Sequence, residues 1–218
     1  MALATELRVK RLLCLGAHCD DIEIGCGGTI LKLINANPDI DITWVVFTST
    51  TERRLEAERG AQQFCNGAAN LSIQVHDFRD GFLPYHGEAV KDAFEAIKAQ
   101  CDPDLILTHY RHDLHQDHAK ISELTWNTWR NHLIWEYEIP KWDGDLGQPN
   151  GFVHLSREQA QHKIALLQAI YNSQACKQWF TDDLFHSLLR LRGMEANSPS
   201  QLAEAFYVKK VTLLPISP

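Results

Sequence analysis

The sequence predicts an α/β fold: a Rossmann-like, mostly parallel sheet with helices on both faces and a helical C-terminal part. Strand-like and helix-like stretches alternate along the first two thirds of the chain, which is the pattern of right-handed βαβ units around a parallel sheet. The first strand is apolar for most of its length, as expected for a strand that is covered on both faces. If the first three strands wind outward and the fourth returns beside the first, the strand order is 3-2-1-4-5.

The individual elements follow from hydrophobic periodicity and turn residues. Strands are predicted over residues 9–17, 42–49, 71–78, 104–110 and 132–139. Helices are predicted from the glycines Gly25, Gly27 and Gly28 to about residue 37, over 51–64 and 88–99, and from Ala119 to about residue 129. The last third is expected to be helical after Ser156 and from Asp182 to Gly193, with residues 204–212 as a strand or a helix-to-strand piece. Residues 140–151 form a polar loop, either a lid or a plain surface connection.

Length and composition restrict the class of protein. A chain of 218 residues is predicted to form a single domain over residues 1–218. The formal net charge of −7 argues against a nucleic-acid partner. No stretch approaches the roughly 20 apolar residues of a membrane span, and the N-terminal residues lack the pattern of a signal peptide. From this we expect a cytoplasmic location. With 6 cysteines and no C-x-x-C spacing, we expect reduced thiols. The sequence is compatible with a homo-oligomer.

A first cluster of ionisable residues follows the first strand. His18, Asp20 and Asp21 lie where the apolar run ends and turns into a Gly-rich helix start. Burying such charges without partners is costly, and metal coordination is one way to stabilise them. The alternative is a helix N-terminal turn in which the two aspartates complement free backbone N–H groups. Dinucleotide binding is unlikely, because the glycines do not form G-x-G-x-x-G and the carboxylates would repel a pyrophosphate.

A second cluster follows the fourth strand. Four of the 11 histidines, His109, His112, His115 and His118, fall within ten residues. In the expected strand order, the first and fourth strands are neighbours at the point where the order reverses, and ligands bind at such points. A third ligand from this cluster would complete a site of two histidines and one carboxylate, with open positions for water. The alternative for His109, His112 and His115 is that they are solvated loop residues.

These residues resemble a known family. The segment Ala17-His18-Cys19-Asp20-Asp21 is similar to the A-H-P-D-D signature of the PIG-L/LmbE-like zinc N-deacetylases. The segment His115-Gln116-Asp117-His118 is similar to the downstream H-x-D-H of that family. The resemblance extends over most of the chain, and it implies removal of acetyl groups from N-acetylglucosamine units.

The resemblance also implies roles for particular residues. By position, the metal ligands would be His18, Asp21 and His118, and Asp20 would be the general base for water activated by the metal. His115 would stabilise the tetrahedral intermediate and protonate the amine, with Asp117 orienting or tuning a histidine. The sugar-binding residues would be Arg53 and Asp80, although either could be a plain helix-surface or turn residue. Cys19 replaces the usual proline, and its thiolate could be an adventitious ligand or an oxidation site.

The sequence therefore predicts a metal-dependent amidase that acts on an N-acetylated sugar or sugar conjugate, with no membrane span. The expected cofactor is Zn²⁺, with Fe²⁺ or another divalent metal as the alternative, because nitrogen and oxygen ligands suit both. Two other functions remain open: a metal-dependent deacylase of a non-sugar amide, and a sugar- or metal-binding module without turnover. An intact Asp20 disfavours the module, since binding needs ligands but no base.

Overall fold

The computed structural model describes residues 8–212 and contains one seven-stranded sheet flanked by helices. The strands are β1 (Arg11–Gly16), β2 (Asp41–Thr48), β3 (Asn70–Phe78), β4 (Leu105–His109), β5 (Ile134–Tyr137), β6 (Gly151–His154) and β7 (Ala203–Val208). The helices are α1 (Asp21–Ala36), α2 (Thr51–Phe64), α3 (Gly87–Gln100), α4 (Gln116–Thr128), α5 (Arg157–Ile170) and α6 (Asp182–Glu195). Within residues 8–212, no helix is long and apolar enough to cross a membrane.

The sheet order is β3-β2-β1-β4-β5-β7-β6. The first five strands pair in parallel, so the predicted α/β class and the 3-2-1-4-5 order are confirmed. The helical C-terminal part is present as α5 and α6, and the strand expected over residues 204–212 is β7; β6 was not predicted, and with β7 it extends the sheet with antiparallel pairing. β6 has only four residues, too few to show an alternating pattern, and pairing with β7 holds it in place. The Asn150 side chain extends that pairing through two hydrogen bonds to the backbone of Val208.

Two apolar layers cover the two faces of the sheet. Alternate residues of β1 point into different layers: Leu12 and Cys14 join the layer that contains α1, α2, α5 and α6, while Leu13 and Leu15 join the layer that contains α3 and α4. Together the two layers bury β1 from Leu12 to Gly16, which explains the apolar sequence of this part.

Two helices begin earlier than the sequence analysis expected. α1 starts at Asp21, before the glycines, and it is interrupted at Cys26, whose φ and ψ are −145° and 16°. α4 starts at Gln116 rather than at Ala119, so His118 lies in its first turn. Gly25 lets α1 approach the sheet, because a Cβ atom there would lie 2.2 Å from the ring of Tyr137. As a result, Asp21 and His118 each lie in the first turn of a helix, and both helices begin at the same edge of the sheet.

Glu204 in β7 stabilises the interruption in α1. Its carboxylate accepts hydrogen bonds from the backbone N–H groups of Gly28 (2.8 Å) and Thr29 (2.6 Å), which begin the second part of the helix. Lys163 of α5 donates to the same carboxylate (2.6 Å) and to the carbonyl of Ile24 (2.7 Å). Glu204 and Lys163 are both buried, so each charge depends on its partner.

We predict that Glu204→Ala lowers the free energy of unfolding by about 3 kcal/mol or more, because it leaves the Lys163 charge buried and unpaired. Urea denaturation of the purified variant measures the effect. Glu123→Ala is the matched control, since its ion pair with Lys120 is exposed and should be worth less than about 1 kcal/mol. Equal stability of the two variants would contradict the capping role of Glu204.

Candidate metal centre

The two clusters meet at one edge of the sheet. β1 and β4 are parallel neighbours, with Leu12 opposite Leu105 and Cys14 opposite Leu107. The turn after β1 therefore lies beside the loop after β4, at the point where the strand order reverses. The expected juxtaposition of the clusters is present in the structure.

Three side chains converge there: His18, Asp21 and His118. His18 Nδ1 lies 3.0 Å from His118 Nε2 and 3.2 Å from Asp21 Oδ2. His118 Nε2 lies 3.5 Å from Asp21 Oδ1. All three residues are buried. Burial alone would raise the pKa of Asp21, but the neighbouring rings of His118, His18 and His109 hold it well below its usual value.

Asp20 does not act as a helix cap. It occupies the N-cap position of α1, but its side chain makes no capping hydrogen bond. Its Oδ1 atom instead accepts a hydrogen bond of 2.7 Å from Nη2 of Arg53, which lies in the first turn of α2. The alternative of two aspartates that merely complement backbone N–H groups therefore does not hold for Asp20. The structure pairs Asp20 with one of the two residues that the resemblance assigns to sugar binding.

His115 is half-buried beside the two predicted histidine ligands. Its ring is 4.8 Å from that of His18 and 4.6 Å from that of His118, measured between centroids. It is the N-cap of α4, and its Nδ1 atom accepts a hydrogen bond from the backbone N–H of Asp117 (3.3 Å). In the neutral ring the proton is then on Nε2, which makes that atom a hydrogen-bond donor. Burial and the two neighbouring histidines lower the pKa of His115 and favour this neutral form.

Asp117 and Asp80 both approach the outer nitrogen of His18. His18 Nε2 lies 3.1 Å from Asp80 Oδ1 and 3.4 Å from Asp117 Oδ2. Asp117 is fully buried and also accepts hydrogen bonds from the backbone N–H groups of Gly81 (2.7 Å) and Leu83 (3.0 Å). Asp80 is largely exposed, and its hydrogen bond with His18 lowers its pKa to about 2.

His109 and His112 differ sharply in their surroundings. His109 is the last residue of β4 and is completely buried; its ring stacks on that of His118 with centroids 4.0 Å apart. Its Nε2 atom lies 2.9 Å from the backbone N–H of Ala17 and 3.2 Å from Asp21 Oδ2. The alternative of a solvated loop residue therefore does not hold for His109, whereas His112 is exposed. The signal for His109 was its place at the end of a buried strand.

Sequence reasoning missed the residues that support His118. Asp113 Oδ2 lies 2.9 Å from His118 Nδ1, so it fixes the side of the ring that faces away from Asp21. Lys141 contacts the same Asp113 oxygen at 3.0 Å, and its Nζ also lies 2.6 Å from Asp145. Asp145 accepts a hydrogen bond from the backbone N–H of Leu114 (2.6 Å). The loop between β5 and β6 is therefore hydrogen-bonded to the loop that leads into His115 and the start of α4, and it is more than a plain surface connection.

Cys19 belongs to none of the groups of potential metal ligands among the described residues. It is buried, and its thiol donates to the backbone carbonyl of Thr48 at 3.4 Å. Burial raises the pKa of this thiol to about 12, so the thiolate that a metal or an oxidant would need is disfavoured.

The donor atoms fit a divalent metal ion. Three groups of three residues each bring their donor atoms within 4.8 Å of one another: His18 with His115 and His118, Asp21 with His109 and His118, and His18 with Asp80 and Asp117. His118 and His18 each belong to two of these groups, and Asp21 lies between them. Imidazole and carboxylate donors suit zinc and iron(II) alike.

Comparison with known proteins assigns the family. The model of the family PIG-L, GlcNAc-PI de-N-acetylase, matches residues 13–129, more than half of the chain. The chain belongs to this family. The match begins in β1 and ends just after α4, so it contains both clusters. The resemblance drawn from the two short motifs is thus confirmed over the part of the fold that builds the candidate metal centre.

Individual relatives agree with this assignment. Diacetylchitobiose deacetylase of Thermococcus kodakarensis is 33% identical over 113 residues, which cover 45% of this chain and 40% of that protein. The structure of N,N'-diacetylchitobiose deacetylase from Pyrococcus horikoshii is similar with a TM-score of 0.68 at 19% identity, and the alignment covers 92% of this chain and 84% of that one. This structural likeness shows a shared fold.

The same fold also carries other chemistry. The structure of GalB, the 4-carboxy-2-hydroxymuconate hydratase from Pseudomonas putida KT2440, is similar with a TM-score of 0.74 at 15% identity, over 96% of this chain and 100% of that one. The fold alone therefore does not decide between amide hydrolysis and hydration, and the reaction has to be argued from the residues of the site.

We predict that Asp113→Asn lowers the affinity for a divalent ion by about 10–100-fold, because an amide orients His118 less strongly than a carboxylate. Competition with a metal chelator measures the affinity directly. Asp102→Asn is the matched control: Asp102 also contacts a histidine, His132 Nε2 at 3.0 Å, but on the exposed surface. If both variants keep wild-type affinity, Asp113 does not position His118.

Proposed function

We propose that the protein is a metal-dependent N-deacetylase that removes the acetyl group from the amide nitrogen of an N-acetylated amino sugar or sugar conjugate. The observation that carries the proposal is the convergence of His18, Asp21 and His118 within 3.5 Å, next to Asp20. Membership of the PIG-L family over residues 13–129 supports the same chemistry. The diacetylchitobiose deacetylase of Thermococcus kodakarensis supports an acetylated amino sugar as the substrate class.

The metal would be held by His18, Asp21 and His118, with zinc as the expected ion and iron(II) as the alternative. When bound, such an ion polarises a carbonyl group and lowers the pKa of a water molecule. Asp117 has its carboxylate 3.4 Å from His18 Nε2, so the histidine that it orients would be His18. Asp113 would do the same for His118 through the contact with Nδ1.

Asp20 would act as the general base. Its Oδ1 atom is bonded to Arg53, which fixes the carboxylate, and among residues 8–212 its Oδ2 atom has no hydrogen-bond donor. That oxygen is therefore free to accept a proton from the attacking water as the water oxygen bonds to the amide carbon.

His115 would stabilise the negative charge that develops on the former carbonyl oxygen. Its Nε2–H is the available donor, because Nδ1 accepts from the backbone of Asp117. When the C–N bond breaks, the amine nitrogen takes a proton, and the products are acetate and a free amino sugar. That proton is the one that Asp20 received from the water; His115, which the resemblance also offers as the acid, would supply it only from its protonated form.

Arg53 and Asp80 would bind sugar hydroxyl groups. Each contacts one residue of the buried cluster: Arg53 contacts Asp20, and the exposed Asp80 contacts His18. Arg53 offers donors and Asp80 offers acceptors, the combination that a polyhydroxylated ring needs. Because Arg53 already binds Asp20, it would link substrate binding to the position of the base.

The release of acetate from a panel of acetamido compounds tests the proposal. The panel contains N-acetylglucosamine, its glycosides, and N-acetylated amines without a sugar, each incubated with the metal-loaded protein. We expect acetate from the sugars. Acetate from only the non-sugar amides would indicate a general deacylase, and sugar binding without acetate release would indicate a binding module. If no compound releases acetate and no sugar binds, the proposal is contradicted.

We further predict different outcomes for two adjacent, chemically similar residues. Asp21→Asn should lower the metal content, because Asp21 lies between the two histidine ligands. Asp20→Asn should keep the metal and the fold but lose turnover by about 10²–10⁴-fold, because an amide cannot accept the proton. The measurement is the deacetylation rate against metal content in the two variants side by side. Near wild-type turnover by metal-loaded Asp20→Asn would place the base elsewhere, with His115 as the next candidate.

A further inference from the structure

A groove lies on the surface beside the C-terminal half of α4. Its volume is about 520 Å³, and it is lined by Trp126, Arg130, Asn131 and Lys210. Sites for small molecules have volumes of roughly 300–1,000 Å³. None of the four lining residues is acidic and two are cations, although the chain has a formal net charge of −7. We call the surface formed by these four residues the basic groove.

The indole ring of Trp126 is held in a fixed orientation in this groove. Its Nε1 atom donates to Oε1 of Glu136 (2.6 Å), which is completely buried in β5. Arg111 donates to the same carboxylate from Nε (3.0 Å) and from its backbone N–H (3.1 Å). The Arg111 guanidinium carbon also lies 4.6 Å from the centroid of the indole ring. The charge of Glu136 is therefore balanced by Arg111, and the ring cannot turn without breaking a hydrogen bond to a buried group.

Two further cations meet beside the same ring. Lys210 Nζ lies 5.4 Å from the centroid of the Trp126 ring and donates to the backbone carbonyl of Arg130 (2.8 Å). This hydrogen bond uses one N–H group of the lysine and leaves its other N–H groups for a ligand. Within residues 8–212, no carboxylate forms an ion pair with Arg130 or Lys210. Their positive charges are therefore available to an anion.

The chemistry of the lining selects the kind of anion. The side chains of Arg130 and Lys210 carry only hydrogen-bond donors, and the Asn131 amide adds two more N–H groups. A phosphate group presents three acceptor oxygens and nearly two negative charges, which gives it more partners here than a carboxylate has. The volume of the groove leaves space for an organic part attached to the phosphate.

The basic groove is separate from the candidate metal centre. Trp126 follows His118 in α4 by about two helical turns, roughly 12 Å along the helix axis. The residues that line the groove belong to none of the groups of potential metal ligands. A ligand in the groove is therefore a second molecule and not the acetylated substrate.

We propose that the basic groove binds a small molecule that carries a phosphate group. Arg130 and Lys210 donate to the phosphate oxygens, and Asn131 contributes its amide group. The ring of Trp126, fixed by Glu136, forms the wall beside them. The site does not depend on the proposed deacetylation, because it uses none of the residues assigned to that reaction.

Titration calorimetry on the metal-loaded protein tests the proposal, with inorganic phosphate and glycerol phosphate as probes and acetate as the carboxylate control. We expect both phosphates to bind, and acetate to bind at least about tenfold more weakly. Arg130→Gln and Lys210→Gln should each weaken phosphate binding by about tenfold, because each removes a charge-assisted hydrogen bond. Lys177→Gln is the matched control and should keep wild-type affinity: Lys177 also lies over an indole ring, that of Trp179 (5.7 Å), but outside the groove.

Tryptophan fluorescence gives a second readout at the site itself. Phosphate should change the emission of wild type and of Lys177→Gln, and Trp126→Phe should lose most of this change. Phosphate that binds at the metal instead would bind Arg130→Gln and Lys210→Gln with wild-type affinity, which would overturn the proposal. Tight binding of a single-stranded oligonucleotide without binding of either phosphate would overturn it as well. A failure to release acetate from any acetamido sugar would contradict the proposed function and leave these binding results unaffected.

Discussion

The structure depends on keeping one carboxylate charged in the interior. Asp21 is buried, and its oxygens lie within 3.5 Å of nitrogens of His18, His109 and His118. A buried carboxylate without partners would be neutral or would destabilise the fold. The aspartate lies at the start of α1, directly after β1, and two of the three rings come from the end of β4 and the start of α4. The pairing of β1 with β4 is therefore both the central contact of the sheet and the condition for the candidate metal centre.

Further layers of contacts hold these rings in place. Asp113 and Lys141 fix His118 from one side, and Asp117 approaches His18 while it binds the backbone of Gly81 and Leu83. The loops after β3, β4 and β5 are thus bonded around the same buried group. Without such contacts, the side chains of the site would be less precisely oriented. The arrangement converts flexible loops into a fixed frame, which is what a site that must orient an amide and a water molecule requires.

Much of this could be predicted from the sequence, and the reasons for the remainder are physical. The five parallel strands and the two clusters at their ends have local signals: apolar runs, glycines and a dense group of histidines. β6 has four residues and is held by pairing with β7, so its signal is non-local. Hydrophobic periodicity does not predict the polar contacts of Asp113 with His118 and of Lys141 with Asp113. His109 lay within the histidine group, but only burial distinguishes it from the exposed His112.

The central claim is that His18 and His118 hold a divalent ion together with Asp21. The most direct test is the metal content of purified His18→Ala and His118→Ala, measured by mass spectrometry beside wild type and His112→Ala. His112 lies in the same histidine group but is exposed, so it controls for the loss of any histidine from this loop. We predict about one ion per chain in wild type and His112→Ala, and a large loss in the other two variants. Full occupancy in both His18→Ala and His118→Ala would contradict the account.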